Sequence, residues 1–128
     1  MDYRSVTNPD SAQYQLIYSD EITVGEDGLL HSGEYIGVAL GTRYGNVGDK
    51  FIITLADGKQ FKAIKLDVKS DAHTANGCHH LSDGSVVEFV IDRNLTKLYY
   101  PMADKMGNFD YEEQFSGAVI KIEKVIEK

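Results

Sequence analysis

The stretch from Lys50 to Leu66, KFIITLADGKQFKAIKL, constrains this chain most. Two runs rich in β-branched and aromatic residues flank Asp57-Gly58. A DG pair between such runs predicts a β-hairpin, because both residues tolerate the positive φ that a tight turn between twisted strands demands. The strand pattern recurs on either side. Tyr35–Leu40 reads as a strand that ends at a chain broken by Gly41, Gly45 and Gly48. Ser85–Asp92 is the most apolar strand pattern, and Ala118–Ile126 alternates through Ile120 and Ile122 as a closing strand. Nearer the start, GEDG at 25–28 predicts a turn, Leu29–His31 a short return strand, and the weak alternation of AQYQLIY at 12–18 a further strand. Asn94–Tyr100 fits a short helix or a strand and ends at Pro101, and 101–116 is irregular. Six or seven short strands at this spacing predict an all-β barrel or sandwich with little helix. The expected organisation is a flexible lead-in over 1–11, with Asn8-Pro9-Asp10 as a turn, and one domain over 12–128.

Composition narrows the class of partner. With 42% hydrophobic and 26% charged residues, the 128-residue chain has the make-up of an ordinary globular domain. A net charge of −7 argues against nucleic acid and anionic membranes, which call for a basic footprint. No apolar run approaches the ~20 residues of a membrane helix, so membrane insertion by this chain is not expected. MDYRSVTNPDSAQ lacks the basic start and apolar middle of a signal peptide. An exported form would be extracellular or cell-wall associated and would carry its signal elsewhere; otherwise a cytoplasmic or virion location is expected. The single Cys78 excludes an internal disulfide and leaves the compartment open.

Two carboxylates sit at telling places: Asp67 at the end of FKAIKLD and Glu88 inside VVEFVI. Strand alternation puts Val87, Phe89 and Ile91 on the core face and Glu88 on the other, between two valines. It puts Asp67 with Phe61, Ala63 and Lys65, opposite Ile64 and Leu66, exposed where its strand ends. If the two strands are neighbours, both acids face one cleft, the usual apparatus for glycosidic bond cleavage. One acid must then stay protonated, and burial beside valines favours that. Alternatively Asp67 caps a turn and Glu88 pairs with a lysine.

The loop DVKSDAHTANGCHH carries Asp71, His73, Cys78, His79 and His80, which are metal-capable types. Their spacing matches no known ligand signature, so neither a metal nor another cofactor is expected. His73 and Thr74 follow Asp67 closely and are the better substrate-binding candidates, with Asp71 beside them. Cys78 as a nucleophile would need a positioned histidine and an oxyanion site, which adjacency to His79 does not provide. GTRYGNVG lacks the GK[ST] of a phosphate loop. Among eight tyrosines, Tyr35, Tyr44, Tyr99, Tyr100 and Tyr111 are candidates for stacking on a sugar, Tyr44 foremost.

The run VALGTRYGNVGDKFIITLADGKQFKAIKLDVK, followed by DGSVVEFVID, resembles the double-psi β-barrel core of the 3D domain, the three-aspartate family that includes membrane-bound lytic transglycosylases. Shared features are an A-L strand, a G-T…G turn, a hairpin, an Asp, and then an acid within an apolar strand. Thr7–Leu16, Asp67–Thr74 and Val86–Asp92 are also similar to segments of barrel domains from phages and Gram-positive bacteria. The resemblance implies a six- to seven-stranded double-psi-like β-barrel. By position Asp67 matches the family's first aspartate, and Glu88 falls where its catalytic aspartate lies. Position 88 is one methylene longer, and a longer histidine-bearing loop replaces the family's short G-G-A-I-K-G link. The implied activity is non-hydrolytic cleavage of peptidoglycan. Glu88 would protonate the glycosidic oxygen and then take the proton from the muramic acid 6-hydroxyl, which closes an anhydro ring. Asp67 would orient Glu88 or stabilise the cationic transition state. The expected partner is thus cell-wall glycan or, in a second reading, a protein bound by a non-catalytic module of a phage, conjugation or surface assembly. A third reading, a zinc enzyme at His73, Cys78 and His79, would require bound metal.

Overall fold

The hairpin centred on Asp57-Gly58 forms in the computed structural model, which describes residues 2–41, 44–69, 87–99 and 119–126. Gly58 takes a φ of 93° and donates its N–H to Leu55 O at 2.9 Å, while Leu55 N–H donates to Lys59 O at 2.8 Å. The described strands are β1 (Thr23–Val24), β2 (Leu30–Ser32), β3 (Tyr35–Gly41), β4 (Lys50–Leu55), β5 (Gln60–Lys69), β6 (Val87–Phe89) and β7 (Val119–Lys124). They make one seven-stranded sheet in the order β1-β2-β3-β5-β4-β7, with β6 also paired to β3. The chain leaves β3, builds β4 on the far side, and turns back to fill the gap with β5. β5 is therefore parallel to β3 and antiparallel to β4, a ψ-shaped path. β2 and β6 share the other edge of β3, β2 along Tyr35 and Ile36 and β6 along Val38–Leu40. The protein is all-β with little helix. Among the described residues no ladder joins β7 back to β1 or β6, so these strands form an open sheet rather than the closed barrel expected from the sequence.

Both faces of the central strands are covered. One face carries Leu30, Ala39, Ile64, Leu66 and Val90 beneath Ile17, with Tyr3, Val6 and Leu16 packed on them. The opposite face carries Val38, Leu40, Phe51, Ile53 and Ala63. The lid of the first face comes from α1 (Ala12–Ile17), where alternation predicts a strand. Ser11 decides the matter locally: its side chain accepts the Tyr14 N–H at 3.1 Å, an N-cap that strand pairing would waste. The helical turn then drops Leu16 and Ile17 onto the sheet and sets the Tyr14 and Tyr18 rings 4.4 Å apart at i,i+4 spacing.

The first residues are docked rather than a free lead-in. Tyr3 N–H donates to Ile91 O at 2.7 Å, and Arg4 pairs with Asp2 and Asp92, each at 3.1 Å. The apolar bodies of Tyr3 and Val6 have a core to cover, which a count of polar residues over 1–11 conceals. Of the segment that fits a helix or a strand by sequence, the described part is helical, as α2 (Arg93–Tyr99). Asp92 caps it, accepting the Asn94 and Leu95 N–H groups on Oδ1 at 3.1 and 3.4 Å.

Candidate functional site

A one-residue irregularity builds the site. β3 and β5 run in step through Val38↔Lys65, and then Ala39 pairs with Asp67, so Leu66 is an extra residue on β5. A bulge of this kind turns everything after it to the other face of the strand. Asp67 therefore leaves the Ala63–Lys65 face predicted by alternation and joins the face of Ile64 and Leu66. The strand also continues to Lys69, so Asp67 lies within β5 and is half-buried rather than exposed at its end. On the other edge of β3, Ala39 pairs with Glu88. Paired residues point to the same side of a sheet, so Asp67, Ala39 and Glu88 form one row across three strands. The two acid-bearing strands are not neighbours, because β3 runs between them. Two interstrand spacings put the acid Cα atoms about 9.5 Å apart.

The row is partly enclosed. Ala39 is buried at its centre and both acids are half-buried. Val90, two residues beyond Glu88 and on the same face, is fully buried, so the face opposite Val87 and Phe89 is covered too. Asp67 is held as an acceptor: Gln13 Nε2 donates to Oδ1 at 3.3 Å and Val68 N–H donates to the same oxygen at 2.8 Å. Among the described residues, no group donates to Oδ2.

On the far face, Lys65 is 1% exposed. Its ammonium donates to the carbonyls of Gly41, Tyr44 and Gly45 at 3.1, 3.2 and 3.0 Å, which uses all three of its N–H groups. Burial pushes the Lys65 ammonium below the ordinary lysine range, against the pull of the Asp49 and Asp67 charges. Tyr44 is thereby held through its backbone, and its half-buried side chain packs against the second cluster. Neither Gln13 nor Lys65 is singled out by sequence pattern.

Of the remaining candidates, Asp71, His73 and Thr74, together with Cys78, His79 and His80, lie outside the described residues. Among the described residues no cluster of three or more His, Cys, Asp or Glu side chains is arranged to hold a metal, and no helix is long and apolar enough to cross a membrane. Comparisons with protein-family models, curated proteins and solved structures return no match for this chain. The class of protein is therefore defined by its own geometry: an all-β domain with two carboxylates in register on one partly roofed face.

Proposed function

We propose that this domain acts on bacterial cell-wall glycan, cleaving the strand in the manner of a lytic transglycosylase. The observation that carries the reading is the row Asp67–Ala39–Glu88, two acids on one face separated by a small side chain. Paired carboxylates that flank a glycosidic bond divide the work: one gives a proton to the leaving oxygen, and the other stays ionised against the oxocarbenium-like transition state. Asp67 already accepts two N–H groups on one oxygen and suits the ionised role. Glu88 takes the acid–base role. It protonates the glycosidic oxygen as the C–O bond breaks, and then accepts the proton of the muramic acid 6-hydroxyl as that oxygen closes on C1. Proton and electrons balance without water. A domain with this activity works outside the membrane, at the wall, or on a virion that must breach it.

The test is digestion of purified peptidoglycan by wild type and Glu88→Gln, read by mass spectrometry. Anhydromuropeptides from wild type but not from the folded variant are the expected result. Equal release by both removes Glu88 from the chemistry.

A second reading rests on a different surface. α2 is anchored by buried Thr96, whose hydroxyl donates to Asp27 O at 3.0 Å, yet Leu95, Leu98 and Tyr99 are 37%, 81% and 57% exposed. An outward apolar stripe at i, i+3, i+4 spacing favours a non-catalytic module that docks on a protein. No release of glycan fragments by folded wild type would favour this second reading.

A further inference from the structure

The contact between α1 and Asp67 assigns a role to a residue far from both acids in sequence. We infer that Gln13 is the positioning residue of the acid row, holding the Asp67 carboxylate by Oδ1 so that Oδ2 accepts a hydrogen bond from a sugar hydroxyl or N-acetyl N–H. The inference rests on the glycan-cleavage reading and deepens it.

Three features carry it. Two donors, Gln13 Nε2 and Val68 N–H, converge on Oδ1, so the carboxylate cannot rotate without losing at least one of them. Val68 N–H is the main-chain donor next in sequence to Asp67, and among the described residues Gln13 supplies the side-chain part of that grip. The arm that bears Gln13 is itself fixed: Ser11 caps α1, and Ile17, one turn beyond Gln13, is 5% exposed in the core below. The chemistry of the donor also fits. A lysine or arginine at position 13 would orient Asp67 but neutralise it. A neutral amide orients it and leaves its charge for the cationic transition state.

The test combines a spectroscopic and a kinetic measurement on the full chain. In amide-labelled protein, the Gln13 side-chain NH2 resonances should shift on Asp67→Asn. Gln13→Leu keeps the volume and removes the donor; kcat for peptidoglycan cleavage should fall on the order of 100-fold, as misplaced catalytic groups do, with KM and the melting temperature little changed. Gln13→Glu should be as slow at neutral pH and recover as pH falls, because the introduced carboxyl can donate once protonated. A merely structural glutamine would not produce that pH profile. Cleavage by Gln13→Leu at the wild-type rate, a pH-independent defect in Gln13→Glu, or NH2 resonances blind to Asp67→Asn would each overturn the inference and leave the glycan reading standing. A responsive NH2 group in a wild type that neither binds nor cleaves peptidoglycan would overturn the glycan reading, and the positioning role with it.

Discussion

β4 and β5 lie side by side and are joined by the short turn Ala56–Lys59, yet they obey different rules. In β4 the burial alternates strictly: Phe51, Ile53 and Leu55 are buried, and Lys50, Ile52 and Thr54 are half-exposed. In β5 four consecutive residues, Ala63, Ile64, Lys65 and Leu66, are buried, and one of them is a lysine. The difference is position. β5 is parallel to β3 at the centre of the ψ-shaped path, with α1 and Tyr3 over one face and the second cluster on the other. A strand covered on both faces has no solvent side on which to place a polar residue, so Lys65 must be satisfied internally and three backbone carbonyls do so. The row of acids arises where this covered strand slips by one residue. The regular strand carries the frame, and the irregular one carries the candidate chemistry.

Adjacent substitutions make the sharpest test of that contrast. In β5, Ile64→Ala should cost about 3 kcal/mol for the lost side chain and its cavity. Lys65→Met should cost about as much, because buried carbonyls lose their donor. In β4, Ile53→Ala should cost about 3 kcal/mol while its neighbour Ile52→Thr stays within about 1 kcal/mol. Urea midpoints at constant m-value report all four. A neutral Lys65→Met would mean that the carbonyls of Gly41, Tyr44 and Gly45 do not need its ammonium, and the contrast between the strands would collapse to simple apolar burial.

A somewhat smaller effect is expected where β3 receives the bulge. A Cβ added at Gly37 would overlap Leu66 Cδ1 and stand 3.3 Å from Leu30 Cβ, and Leu66 is fully buried with no free volume to retreat into. Gly37→Ala should therefore destabilise by about 2 kcal/mol through overpacking. Because it pushes on the bulged residue itself, it should also weaken the Gln13 contact to Asp67, read from the Gln13 side-chain amide. The double variant Gly37→Ala/Leu66→Ala should recover part of the loss. Full additivity of the two would show that the bulge is not packed against Gly37.

Legibility in the sequence followed the same division. The regular parts were readable because each carries a plain local signal: strict alternation in β4, a short apolar run in β3, or a turn with fixed chemistry. β3, β4, the Asp57-Gly58 turn and β7 lie within a residue or two of their predicted places. α1 was misread because AQYQLI carries no clean period, and its helix depends on the Ser11 cap and on a sheet to sit upon, neither of which is a pattern of alternation. The side of Asp67 was misread because FKAIKLD alternates well in isolation; the extra residue at Leu66 is dictated by pairing to β3, which is remote in sequence. For the same reason the two acids could be suspected separately, while their common row through Ala39, and the part of Gln13 in it, required the registers of both edges of β3.

The smallest expected effect lies where the two strands are tied together at the start of β4. Asp49 O accepts the Lys65 N–H at 2.9 Å, and the Asp49 carboxylate accepts the Asn46 N–H at 2.8 Å and pairs with Lys124 at 3.2 Å. The Asn46 N–H, then Lys124, and at longer range the Lys65 charge hold the Asp49 carboxyl below the ordinary carboxylate range, against a partial opposing push from burial. A carboxyl depressed in the folded state binds fewer protons there than in the unfolded chain, so its contribution is fully present above the unfolded value of about 3.9 and is lost as pH falls through the lower folded value. Exposed Asp57, held low by Lys59, acts in the same window with the same sign. Asp49→Asn should thus flatten, without abolishing, the loss of stability below about pH 4. At neutral pH it should cost less than about 1 kcal/mol, because Lys124 is more than half exposed and an asparagine oxygen can still accept from Asn46. The matched measurement is the urea midpoint of wild type and Asp49→Asn from pH 2 to 7. Superimposable acid limbs would show that the regular strand is tied to the irregular one by its backbone alone, with no help from charge.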